Sequence, residues 1–272
     1  MAATNLTIRL ATAGVMVPLI VALLFAGPGW GWLLFILVAT VLGAIELFGM
    51  THPGDRVAAG VGTLTTCAVM VALYLRSTEP RLFVCLVLLV PFVGIALTLA
   101  RLGDMSTAAL RLLAAGFGPV YLGVGFGAVA SLRIEGEPDG AAFVLLALGL
   151  AWLSDTGGYF AGRMFGRRKL YPAVSPKKTI AGAVGGVVTA VAGAIVIRLL
   201  VLRALPWLDT VVLAAVGSMM GQLGDLGESV LKRSVGVKDS GAVVPGHGGM
   251  LDRVDAALIT APVVLAYVLW RG

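Results

Sequence analysis

Charged residues are concentrated in one stretch near the end of the chain, between Gly224 and Asp255. The chain as a whole is 59% hydrophobic and only 12% charged, so this concentration needs an explanation. Carboxylates interleaved with lysines and arginines are suited to holding a divalent cation beside an anionic phosphate. The ionisable residues of the stretch are Asp225, Glu228, Lys232, Arg233, Lys238, Asp239, His247, Asp252, Arg253 and Asp255.

The chemistry that these residues predict is phosphoryl or nucleotidyl transfer. Asp225, Asp252 and Asp255 offer the oxygen ligands that Mg²⁺ prefers, while lysines and arginines can hold the remaining phosphate oxygens. His247 lies among glycines, which let the backbone approach a ligand closely, and is a candidate donor to a phosphate. The sequence contains no Walker A, G-x-S-x-G or G-x-G-x-x-G pattern, which argues against common nucleotide hydrolases and dehydrogenases.

Two earlier segments carry residues of the same kinds. Asp155 and Tyr159 are four residues apart and share one face of a predicted helix. The loop that follows ends in Ser175-Pro-Lys-Lys-Thr179, which we expect at the start of the next helix. Free N–H groups and the helix dipole favour an anion there, so Lys177, Lys178 and Thr179 are predicted to bind phosphate.

The helix that carries Asp225 has one continuous polar side. Ser218, Gln222, Asp225, Ser229 and Lys232 follow one another at steps of four or three residues, which places them on one face. Glu228 lies near the same side. Three separate segments therefore bring acidic and basic residues to one depth of the predicted fold.

Composition indicates an integral membrane protein with an all-α, polytopic fold. The mean hydropathy is +1.00, and apolar blocks of about 20 residues match the thickness of a bilayer. The net charge of +6 is interpreted as basic loops beside anionic lipid, and no nucleic-acid-binding module is recognisable. We predict about nine transmembrane helices, at 10–27, 29–50, 57–75, 82–100, 110–132, 141–162, 179–202, 208–230 and 255–271.

The distribution of lysine and arginine predicts the orientation. They are more numerous in the loops that share a face with the N-terminus, including the long loops 163–178 and 231–254. The positive-inside rule therefore places the N-terminus and both loops on the cytoplasmic side of the membrane. We expect the protein to lie in the inner membrane of a bacterial cell.

The two halves of the chain differ in character. Residues 1–135 are predicted to form a lipid-facing scaffold, and residues 136–272 the catalytic spans. Glu46 is the carboxylate inside the first five spans, near the cytoplasmic end of the second. We interpret it as a snorkelling or paired structural residue in preference to a catalytic one. Glycine-rich helix faces permit, but do not demand, a homodimer.

The last segment resembles the signature of a known family. The pattern Ser229-x-Leu-Lys-Arg-x4-Lys238-Asp239-x-Gly241, followed by Pro245-x-His247-Gly-Gly-Met-x-Asp252-Arg253-Val-Asp255, is similar to that of phosphatidate cytidylyltransferases, or CDP-diacylglycerol synthases. The segments around Asp155, Ser175 and Asp225 support the resemblance, whereas the first five spans match in hydropathy only. Val244 and Ala181 depart from the usual family pattern.

The resemblance implies the reaction of CTP with phosphatidate to give CDP-diacylglycerol and pyrophosphate at the membrane surface. It implies a Mg²⁺ site, in this family a paired-metal centre, at Asp225 and Asp252. The catalytic residues would be Asp225, Asp252, Lys232, Arg233, Lys238, Asp239, His247 and Arg253. The substrate-binding residues would be Asp155, Tyr159, Ser175, Lys177, Lys178, Thr179, Glu228, Ser229, Gly248, Gly249 and Asp255.

Two other functions fit parts of the sequence. Another lipid-phosphate transferase, such as a CDP-alcohol phosphotransferase or a polyprenyl-phosphate sugar transferase, would need acidic motifs that are missing. An ion-coupled transporter would place its polar residues near the middle of the membrane, whereas here they lie at one end of the helices.

Overall fold

The computed structural model of the protein describes residues 18–241 and 248–271. His247 and most of the first predicted span, 10–27, lie outside these residues. The chain is 79% helical, which confirms the predicted all-α fold class. In chain order the helices are α1 (residues 18–26), α2 (Gly29–Thr51), α3 (Arg56–Tyr74), α4 (Pro80–Ala100), α5 (Met105–Glu135), α6 (Gly140–Phe165), α7 (Ile180–Leu200), α8 (Trp207–Ser234), α9 (Leu251–Val254) and α10 (Ala257–Arg271).

Six helices within the described residues, α2 to α7, are long and apolar enough to cross a membrane. They correspond to the second to seventh predicted spans, so the prediction of a multi-pass membrane protein is confirmed. The 28-residue α8 is longer than predicted and carries the polar stripe. The 15-residue α10 is shorter than the roughly 20 residues of a typical span, and it begins after Asp255.

The chain divides into two compact units, and residues of the charged C-terminal stretch belong to both. Unit 1 comprises Met1–Ala130 and Asp239–Val254, and unit 2 comprises Ser131–Lys238 and Asp255–Gly272. The boundary between the two compact units lies within α5, between residues 130 and 131. The sequence predicted a boundary at residue 135 between scaffold and catalytic spans, and that assignment of roles stays a prediction.

Unit 1 is built around α2 and α3, which pack along each other, with α4 against α3 and the short α9 against α2. The buried Trp32 indole donates to the carbonyl of Val129 at 3.2 Å. Asp55 caps α3 by accepting from Ala58 N and also pairs with Arg101 and Arg111. The first contact joins α2 to α5. The contacts of Asp55 join the start of α3 to the end of α4 and to α5.

Unit 2 has α6 and α7 as its most extensive helix pair, and α8 and α10 complete the bundle. The α6–α7 contact depends on glycine, since a Cβ at Gly158 would lie 3.3 Å from the carbonyl oxygen of Gly182. Thr260 of α10 donates to the carbonyl of Ala147 in α6 at 2.9 Å. The four helices are thus close-packed at the depth of Asp155 and Asp225.

The loop between α6 and α7 contains a two-stranded antiparallel hairpin that the sequence reading did not predict. Strand β1 (Lys169–Tyr171) pairs with β2 (Ser175–Thr179), with Tyr171 opposite Ser175. Both of these residues precede a proline, which disfavours helical backbone at that position and favours extended backbone. Lys177 and Lys178 therefore lie on a strand, and the expectation that they begin the helix was wrong. Thr179 is the N-cap of α7 and accepts from Gly182 N.

Candidate active site

A pocket of about 390 Å³ lies within unit 2, between α6, the hairpin, α7 and α8. Residues that the sequence singled out from three separate segments line it together. They are Asp155 and Tyr159 of α6, Lys177, Lys178 and Thr179 of β2, and Asp225 of α8.

Glycines of α6 and α7 determine how closely these two helices and the hairpin pack together. A Cβ at Gly162 would lie 3.0 Å from the Thr179 hydroxyl, and one at Gly182 would lie 2.8 Å from the carbonyl oxygen of Gly158. Larger residues at these positions would push α7 away from α6. The small residues therefore keep α6, α7 and the hairpin close enough for Asp155 and the lysines of β2 to line one pocket.

Lys178 and Asp225 form an ion pair inside this pocket. Both side chains are partly shielded, with 27% and 22% of their surface exposed. Opposite charges at a partly apolar site attract more strongly than they would in water. Lys177, in contrast, is exposed, so the pocket contains one lysine paired with an acid and another turned to solvent.

Two of the lining residues, Ser154 and Gln222, belong to a group of hydrogen-bonded polar side chains that the sequence did not assign to the site. Ser154 Oγ and Ser218 Oγ lie 2.8 Å apart, and Gln222 Nε2 donates to the carbonyl of Ala183 at 3.1 Å. Arg163 also lines the pocket and donates to Tyr159 Oη at 3.1 Å. The helical stripe signalled Ser218 and Gln222, whereas Ser154 and Arg163 could have been found only as neighbours of Asp155 and Tyr159.

Carboxylates of α8 continue beyond the pocket. Glu228 is buried, with 3% of its side chain exposed, and pairs with Lys232 at 2.9 Å. Asp255 lies ahead of α10, outside the membrane-spanning segments. Burial, and next the charges of Asp225 and Glu228, raise the pKa of Asp255 to about 8. The surroundings of Asp255 therefore disfavour its ionised form.

Several of the predicted site residues, most of them in or just after the last turns of α8, do not line the pocket. Arg233 is exposed and donates to the carbonyl of Val237 at 2.9 Å, which ties it to the loop that follows α8. Lys238 is exposed beyond the end of α8, and so is Asp239, which belongs to unit 1. Ser229 is half-buried on α8, and Ser175 is half-buried on β2. Their assignment to the site stays a prediction.

The remaining predicted residues belong to unit 1. Asp252 Oδ2 accepts from Ser240 N at 2.9 Å, Ser240 Oγ at 3.0 Å and Gly249 N at 3.0 Å. Gly248 has a φ of +84°, a conformation that residues with a side chain rarely adopt. Arg253 is exposed. The carboxylate of Asp252 thus connects Ser240 to Gly249.

Comparison with known proteins decides the family. The model of the cytidylyltransferase family matches residues 7–270, nearly the whole chain. The chain belongs to the cytidylyltransferase family. This membership covers the first five spans as well, where the sequence reading found agreement in hydropathy only.

Curated relatives of the chain are bacterial. A phosphatidate cytidylyltransferase of Staphylococcus epidermidis is 43% identical over 145 residues, which are 53% of this chain and 54% of the relative. Those of Bacillus subtilis and Brucella suis are 40% and 42% identical over 143 and 144 residues, 53% of this chain and of each relative. The chain spans about half the length of the curated relatives it matches.

The donor set of the chain fits a hard divalent cation in its chemistry. Within residues 18–241 and 248–271, no three His, Cys, Asp or Glu side chains are arranged as a ready ligand shell. The carboxylates that raise the pKa of Asp255 are nevertheless oxygen donors of the kind that Mg²⁺ binds. A divalent cation would favour the ionised form of Asp255 beside Asp225 and Glu228.

We predict that Asp255→Asn stabilises the metal-free protein, and more so at high pH. Because the folded-state pKa is near 8 and the ordinary value is 3.8, folding opposes ionisation of Asp255. Wild-type stability therefore falls as the pH rises between these values, and the full cost is present above pH 8. Asparagine is neutral throughout, so its advantage in Tm should grow from pH 5 to 8 and then level off.

Thermal unfolding in detergent with a chelator measures this difference. The Glu137→Gln variant, which changes an exposed carboxylate, is the matched control for loss of one negative charge. An equal Tm difference at every pH would contradict the electrostatic explanation.

Proposed function

We propose that this chain transfers the cytidylyl group of CTP to phosphatidate, releasing pyrophosphate. The observation that carries the proposal is the pocket in unit 2, where Lys177, Lys178 and Arg163 lie beside Asp155 and Asp225. The curated relatives are named for this reaction. A phosphate oxygen of phosphatidate forms a bond to the α-phosphorus of CTP, and the bond from that phosphorus to the β-phosphate oxygen breaks.

Electrostatics is the main barrier that the pocket must lower. Both substrates are anionic near pH 7, so they repel each other as they approach. The nucleophile already carries negative charge and needs no strong general base. The work left to the protein is to position two phosphates and to neutralise their charge. The cationic groups of Lys177, Lys178 and Arg163 supply part of that neutralisation.

The ion pair of Lys178 with Asp225 keeps the pocket electrically balanced before substrate arrives. A buried unpaired lysine or aspartate would be costly, and the pair avoids this cost. A substrate phosphate would compete with Asp225 for the lysine. Asp225 would then be available as a metal ligand.

A bound Mg²⁺ would withdraw charge from the phosphate oxygens and stabilise the leaving pyrophosphate. In unit 2 its ligand would be Asp225, next to Glu228 and Asp255. The assignment of Asp252 as a metal ligand, and of a paired-metal centre, comes from the family resemblance and is part of this proposal. The three hydrogen bonds to Asp252 hold its carboxylate in a fixed orientation.

We predict that the purified protein incorporates label from [α-³²P]CTP into lipid when phosphatidate and Mg²⁺ are present. Label from [γ-³²P]CTP should appear in pyrophosphate and not in lipid, because the bond between the α- and β-phosphates breaks. Replacing phosphatidate by diacylglycerol, or adding a chelator, should abolish transfer. Thin-layer chromatography measures both products. Absence of lipid-linked cytidine alongside an active control enzyme would refute the proposal and favour another lipid-phosphate transferase or an ion-coupled transporter.

The Asp225→Asn variant should lose at least about 100-fold in kcat/KM, since the amide neither pairs with Lys178 nor binds a cation well. Asp209→Asn is the matched control, because Asp209 lies in the first turn of the same helix, about 24 Å away along its axis. The control should retain turnover within about threefold. Activity of Asp225→Asn near that of the wild type would remove Asp225 from the site.

The proposed orientation places the pocket and the N-terminus on the cytoplasmic side, where CTP is available. Cys67 and Cys85 are first replaced by serine, and single cysteines are then introduced at Arg168 and at Arg203, both exposed and on opposite sides of α7. In intact cells an impermeant thiol reagent should label the cysteine at position 203 and not the one at 168. The reverse pattern would invert the orientation.

A further inference from the structure

We propose that Glu46 is a positioning residue that holds the segment around Asp252 in its functional shape. Glu46 lies in α2, among the spans predicted to be a scaffold, and is 6% exposed. The structural part of the proposal concerns unit 1 alone. Its catalytic consequence rests on the proposed function of Asp252.

The Glu46 carboxylate is surrounded by donors from the C-terminal segment. Oε1 accepts from Met250 N at 2.8 Å, and Oε2 accepts from Leu251 N at 3.0 Å and Ser240 Oγ at 2.9 Å. Two of these donors are backbone amides, so the contacts fix the path of the chain and not only its side chains. A buried carboxylate with such partners is held firmly in place.

Ser240 connects Glu46 to Asp252. Its hydroxyl lies 2.9 Å from Glu46 Oε2 and 3.0 Å from Asp252 Oδ2. A hydroxyl has one hydrogen, so it donates to one carboxylate at a time. The backbone N–H of Ser240 donates to Asp252 in addition. A change at Glu46 is therefore transmitted to Asp252 through Ser240.

The surrounding glycines show how tightly the segment packs on this carboxylate. A Cβ at Gly241 would lie 2.7 Å from Glu46 Oε1, and a Cβ at Gly249 would lie 2.5 Å from Oε2. Both distances are shorter than real Cβ atoms show, so the backbone occupies space that only glycine leaves free. Gly43, one turn before Glu46, is likewise in close contact with Leu251. Hydrogen bonding and shape thus select the same position for the segment.

Glutamine is the sharpest substitution at position 46, because it keeps the size of the side chain. Its amide nitrogen is a donor, and each carboxylate oxygen of Glu46 faces at least one donor. Either orientation of the amide therefore loses a hydrogen bond and sets two donors against each other. Residues that orient a metal ligand typically change metal affinity or activity by about 10–100-fold when they are mutated.

The experiment compares Glu46→Gln, Ser240→Ala and the double variant with the wild type and Glu137→Gln, an exposed carboxylate control. Hydrogen–deuterium exchange of the full-length protein in detergent is the readout that needs no activity. We expect exchange at Met250 and Leu251 to become about tenfold faster in Glu46→Gln, with no change in α6 and α7. Ser240→Ala is the second variant in case Glu46→Gln does not fold.

Kinetics test the consequence for the reaction. In Glu46→Gln we expect the Mg²⁺ concentration for half-maximal activity to rise about tenfold, with a KM for phosphatidate within about twofold of the wild type. The double variant should lose less than the product of the two single losses, since both changes break one connected network.

Unchanged exchange at Met250 and Leu251 in Glu46→Gln would overturn the proposal, whatever the activity. Faster exchange throughout the chain would also overturn it, because Glu46 would then support the fold in general. An inactive wild-type protein would refute the proposed function alone, and the exchange result would still decide whether Glu46 holds this segment.

Discussion

A carboxylate among apolar helices is costly unless a cation or several hydrogen-bond donors surround it, and this constraint organises the polar residues of the protein. Glu46 accepts hydrogen bonds from two backbone amides and a hydroxyl. Asp225 pairs with Lys178, and Glu228 with Lys232. Asp255 accepts from the next backbone amide but has three other acids nearby. A cation bound nearby would favour its ionised form.

Glycine is the second requirement, because such partners can meet only if backbones come close. In unit 2, the small residues of α6 and α7 let the two helices pack closely, and Thr179 and the lysines of β2 line the same pocket as Asp155. In unit 1, Gly241 and Gly249 leave room for the Glu46 side chain. The glycines of this chain are thus used for contacts between polar groups as well as for helix packing.

The sequence predicted the helices well because hydropathy and length decide them, and the bounds of α2 and α3 differ from the predicted spans by one residue. It also placed Asp155, Lys178 and Asp225 near one another, since helical spacing and membrane depth restrict where such residues can lie. The hairpin was missed because its strands are short and follow from the prolines at 172 and 176 rather than from alternating hydrophobicity. The partners of Glu46 could not be predicted, because they are about 200 residues away in sequence, and no local pattern indicates contacts at that separation.

The partners of Glu46 also change how the N-terminal spans are understood. If these helices served only as a lipid-facing scaffold, their carboxylate would need a single neighbouring cation or a position at the membrane surface. Instead, Glu46 is buried and accepts hydrogen bonds from Ser240, Met250 and Leu251, in the segment with the most specific family resemblance. Helix α2, near the start of the chain, therefore contacts the C-terminal signature directly.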